Sequence, residues 1–84
     1  MGRVTYFVAL PFGYDPEGSL CAGEAVETKT AEAARRRAAS LAVVHAGAIA
    51  FARTGDLELG DYDDAEVLAR YGEVPEDVAA LIGT

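Results

Sequence analysis

The stretch from Leu41 to Asp56, LAVVHAGAIAFARTGD, changes its apolar period in mid-course, and this limits the fold more than any other feature of the chain. Before Gly47, Ala31, Ala34, Ala38, Leu41 and His45 recur at helical spacing, with Glu32, Arg35, Arg36 and Ser40 on the other side. After Gly47, Ala48, Ile49, Ala50, Phe51 and Ala52 form an apolar run too short for a second helix. The spacing predicts an amphipathic helix over 31–46 and a strand with both faces covered. Gly47 is expected to stop the helix through a positive φ, which costs glycine no Cβ clash.

The flanking segments fall into place around this pair. Val4, Tyr6, Val8 and Leu10 alternate with Thr5, Phe7 and Ala9 in a first strand over 3–12, again apolar on both faces. Pro11 lacks an amide donor and should end it, and Gly13, Asp15, Pro16 and Gly18 supply a turn. The return strand, about 20–28, is broken by Gly23 and marked as an edge by Glu24 and Glu27. Thr30 suits a helix N-cap, with Glu32 complementing the dipole in the first turn. Residues 54–64 read as a long connection with two turns, residues 65–71 as a fourth strand, and Pro75 as the opening of a terminal helix. The expectation is a single α+β domain over 1–84, β-β-α-β-β with a short C-terminal helix. Its mainly antiparallel four-stranded sheet, in the order 2-1-3-4, would pack on one long helix.

At 84 residues such a domain buries roughly 60 to 65% of its unfolded surface, so a second site must share the same core. No apolar run approaches the roughly 18 residues of a membrane span. The N-terminus lacks a small-residue cleavage site and is read as mature protein. Cys21 is the only cysteine, which excludes an intrachain disulfide and a multi-cysteine metal site, and the simplest compartment is the reducing cytoplasm. The net charge of −7 is unevenly spread. Residues 1–53 hold six basic and five acidic groups, a net of +1, whereas residues 54–84 hold Arg70 against nine acids, a net of −8. That field repels nucleic acid and anionic membrane and favours a basic protein partner.

Few residues offer chemistry. His45, the only histidine, lies near the helix end, and with Arg53 it is the candidate for small-ligand binding. Neither Ser19, Ser40 nor Cys21 is paired with it as a nucleophile, so no catalytic residue is assigned. Asp56, Asp61, Asp63 and Asp64 are oxygen ligands that could hold Ca²⁺ or Mg²⁺, although an EF-hand loop begun at Asp56 puts Asp61 where glycine belongs and Val67 where the bidentate acid belongs. No phosphate loop, zinc pattern or RNA-binding motif is present, and no cofactor is implied. One helix covers only one face of a sheet whose two most apolar strands need cover on both. Tyr6, Phe7, Val8 and Phe51 are therefore the candidate interface residues, with the C-terminal segment or a second copy of the chain as the cover.

HAGAIAFARTGD followed by GDYDDAEVLARYGEVP resembles a group of short bacterial hypothetical proteins over residues 4–77. They carry a similar histidine-alanine-glycine helix exit, an Arg-Thr/Ser-Gly-Asp turn and a Gly-x-Val-Pro strand end. The resemblance implies a bacterial single-domain protein and brings no activity with it. The functional expectation is a non-enzymatic interaction or regulatory module acting as a homodimer. The alternative is a small-ligand or metal-binding protein, with enzymatic activity conceivable, built on His45, Arg53 and the acidic loop 56–64.

Overall fold

The computed structural model describes residues 3–56 and 58–78. Its elements are β1 (Val4–Tyr14), β2 (Leu20–Ala22), β3 (Val26–Thr28), α1 (Ala31–Val44), β4 (Gly47–Asp56), β5 (Asp61–Tyr62) and β6 (Glu66–Gly72). All strands join one antiparallel sheet in which β1 and β4 are central. β2 and β3 pair with the outer side of β1, and β5 and β6 with the outer side of β4.

This corrects the expected α+β fold with four strands on one long helix. Among the described residues strands hold 48%, the sheet is curled and six-stranded, and α1 has 14 residues. The difference has local causes at three places. The return strand splits after Gly23, whose N–H still bonds the Pro11 carbonyl at 2.8 Å: the register to β1 shifts by one residue before Val26, so that β2 and β3 pair with different parts of β1. The region expected to be a connection contributes β5, since β4 runs on to Asp56 and a turn closed by Gly60 N–H on the Asp56 carbonyl returns the chain. The helix stops two residues early because His45 is extended (φ −124°, ψ 171°), and its N–H caps the Leu41 carbonyl at 2.9 Å. The expected terminal helix is seen at its start, where Val78 is helical and its N–H bonds the Pro75 carbonyl, and its remainder lies outside the described residues.

Gly47 is not the helix stop that its position suggested. Its φ is not positive and it begins β4, where a Cβ would stand 2.1 Å from the Glu73 carbonyl oxygen. The glycine is needed because the chain leaving β6 crosses close over it. The helix start does follow the local chemistry: Thr30 is extended, and its hydroxyl accepts the Ala33 N–H at 3.0 Å.

The core has two layers, one on each side of the sheet. On the helix side Ala9, Ala48 and Ala50 meet Ala34 and Ala38, all fully buried, with Phe7, Leu41 and Tyr71 around them. Alanine at these contacts lets the helix lie close to the sheet. On the far side Leu10, Phe12 and Ile49 pack under Val78, with Val74, Phe51 and Val67 at the margin. The chain after β6 thus covers one end of the face that the helix leaves bare.

Candidate functional site

The other end of that far face is less covered. Register places Val4 opposite Gly55, Tyr6 opposite Arg53 and Val8 opposite Phe51. Because side chains alternate along a strand and Phe51 packs with the far-side core, Arg53, Tyr6, Val8 and Val4 share its face. Tyr62 pairs with Gly55 from β5 and lays its ring where a Gly55 Cβ would be. The Arg53 guanidinium carbon sits 5.0 Å from the centre of that ring, a cation–π contact. Val4 is 48% exposed and Tyr62 38%, while Tyr6, Val8, Phe51 and Arg53 are half-buried.

Of the four interface candidates, Tyr6, Val8 and Phe51 therefore lie together on this face. Phe7 points the other way and packs against the alanine core under the helix. The two ligand candidates are kept apart. His45 is exposed at the end of α1, and Arg53 lies six residues along β4 from its start, about 20 Å of strand, on the face away from the helix.

The acidic loop is occupied with its own structure. Asp56 is 6% exposed, and its carboxylate accepts the N–H groups of Glu58 at 3.0 Å and Leu59 at 3.4 Å, capping the turn. Asp63 and Asp61 instead face Arg3, at 2.8 and 3.8 Å, and Asp64 is exposed. Among the described residues no three histidine, cysteine or carboxylate side chains gather as a metal site.

Cys21 is exposed, and its thiol donates to the Asp15 carboxylate at 3.5 Å. That bond, with some desolvation and the carboxylate's charge, raises the thiol pKa and disfavours the nucleophilic thiolate. Asp15 is itself held below its ordinary value, first by the Ser19 N–H and also by the thiol and the Glu17 N–H, so it stays charged.

One feature escaped the sequence reading. Arg36, Arg37 and Ser40 on α1, with Ala33, face Val26, Glu27 and Thr28 of β3 across an open groove of about 540 Å³. Arg35, Arg36 and Arg37 are consecutive and fan across about 200° of the helix, so the sequence alone does not mark them as one patch. The spacing of Ala33, Arg36 or Arg37, Ser40 and Val44 nevertheless marks one stripe of the helix, and it could have been read as such.

The fold and these surfaces define a small β-rich domain with a half-covered apolar sheet face and no gathered catalytic groups among its described residues. No family model, curated protein or solved structure matches the chain. Among the described residues no helix is long and apolar enough to cross a membrane.

Proposed function

We propose that the protein is a non-enzymatic protein–protein interaction module that acts as a homodimer through the uncovered end of the far sheet face. The observation that carries this reading is the contrast along that one face. Val78 seals Leu10, Phe12 and Ile49 at one end, while Val4, Tyr6, Val8, Phe51 and Tyr62 stay partly open at the other. The mixture of tyrosine, arginine and aliphatic side chains is the composition enriched at the centre of interfaces. A two-fold axis near the Val8–Phe51 pair would set apolar surface on apolar surface, bring each tyrosine near the partner's guanidinium and leave the acidic loops at the rim. The compartment that suits this reading is the cytoplasm, where an exposed unpaired Cys21 stays reduced.

Sedimentation equilibrium at micromolar concentration tests the proposal. The expected result is a dimer that Val4→Glu and Tyr6→Glu each convert to monomer with unchanged far-ultraviolet circular dichroism. A wild-type chain that stays monomeric at about 100 μM, a concentration at which even weak specific dimers form, would sink it.

A further inference from the structure

We propose that the groove between β3 and α1 binds an extended acidic peptide segment of a partner protein, which adds to the free edge of β3 and sets its carboxylates on Arg36 and Arg37. The groove is on the helix side of the sheet, so this proposal stands independently of dimerisation through the far face.

Three observations lead to it. Among the described residues β3 pairs with β1 alone, which leaves the outward backbone donors and acceptors of this three-residue strand along its outer edge. Such an edge is what an extended peptide completes by strand addition. The groove lies along that edge and is open to solvent, a shape suited to a chain passing through rather than to an enclosed small molecule. Its walls then specify the side chains. Val26 and Thr28 pair with Ala9 and Phe7, whose side chains lie on the helix side, so they face the groove; Glu27, which pairs with Val8, also lines it, as one carboxylate against the two guanidinium groups of Arg36 and Arg37. Among the described residues the side chains of Arg36, Arg37 and Ser40 have no hydrogen bond or ion pair. A guanidinium is built for two-point binding of a carboxylate, and two of them stand on successive residues here. At the helix end Val44, 76% exposed, continues the Ala33–Arg37–Ser40 stripe and offers apolar contact to the same segment.

Charge layout favours a separate partner over a second copy. The acids of residues 61–66 lie on β5 and β6 or beside them, at the opposite edge of the sheet from β3. Docking that edge into the groove would be a head-to-tail contact, which builds rings or filaments, repeated between chains each carrying −7. An acidic segment from elsewhere meets a groove in which Arg36 and Arg37 outnumber the one acid, Glu27.

Fluorescence anisotropy with a labelled octapeptide of alternating valine and glutamate, against its valine–glutamine counterpart, tests the assignment. The expected result is saturable micromolar binding of the glutamate peptide, about 10-fold weaker for the glutamine peptide and for Arg36→Gln/Arg37→Gln, and weakened by added salt. Both arginines are exposed and glutamine is a good helix former, and circular dichroism checks that the variant is folded. Amide shifts in the wild-type complex should fall on Val26–Thr28 and on 36–40. No saturation at about 1 mM peptide, equal binding of the two peptides, or shifts confined to the far face would overturn the proposal. So would self-association that the double variant abolishes without any peptide binding, since the groove's occupant would then be a second copy.

Discussion

A methyl group at position 47 would have to share space with the backbone of Glu73, which cannot swing aside, whereas the atoms nearest to one at position 55 belong to the ring of Tyr62. The two glycines look alike in the sequence and differ in what their neighbours can do. Gly47→Ala should cost about 3 kcal/mol, the upper part of the range for overpacking, because the chain after β6 must lift off the sheet. Gly55→Ala should cost about 1 kcal/mol as Tyr62 rotates away, and it should also lose the Arg53 contact, seen as a shift of the Tyr62 ring protons. Urea unfolding measures both, and equal midpoints would contradict the account. Tyr14 adds to the same corner, its hydroxyl donating to the Glu73 carboxylate.

At the scale of elements, the segment from β4 through β5 decides between a structural and a metal-binding role for the acidic loop. Asp56 is committed to two backbone N–H groups, and Asp61 and Asp63 to Arg3, so a divalent ion would have to displace these contacts first. Ca²⁺ or Mg²⁺ at millimolar concentration should therefore leave the thermal midpoint unchanged, whereas a specific site saturated 100-fold would add ~2.7 kcal/mol. A clear rise in Tm that Asp61→Asn or Asp63→Asn removes would return the loop to metal binding. The elements also show where local chemistry could be read and where it could not. The start of α1 is written in Thr30, whose hydroxyl serves its own helix. Its end is not, because His45 turns extended as the chain enters β4, and no residue nearby carries that instruction.

Across the whole molecule, stability rests on closing two faces of one sheet with very little chain. The helix closes one through alanines, and the other depends at one end on Val78, fully buried over Leu10, Phe12 and Ile49. Val78→Ala should cost about 2 kcal/mol, more than its place near the chain end would suggest, since it removes methyl groups from a packed cluster. A change within about 0.5 kcal/mol on thermal or urea unfolding would mean that this segment does not hold the far face. The same division of labour leaves the interface at the other end of that face and the groove on the opposite side, so the two surfaces can be altered separately.

The sequence by itself determined what depends on near neighbours: the alternation of β1, the N-cap of α1, the turn chemistry around Asp15 and the split of charge between the two parts of the chain. Period and capping are set within a few residues, so a sequence displays them directly. Only the tertiary structure decided that the sheet has six strands among the described residues, that β5 pairs at all, that Gly47 makes room for Glu73, that Phe7 and not Tyr6 lies under the helix and that His45 lies far from Arg53. Each of these turns on which distant backbone lies alongside, and the free energy of that choice is spread over residues far apart in the chain. The basic groove belongs to the same class: its arginines are visible in the sequence, but the strand edge that gives them a use comes from β3.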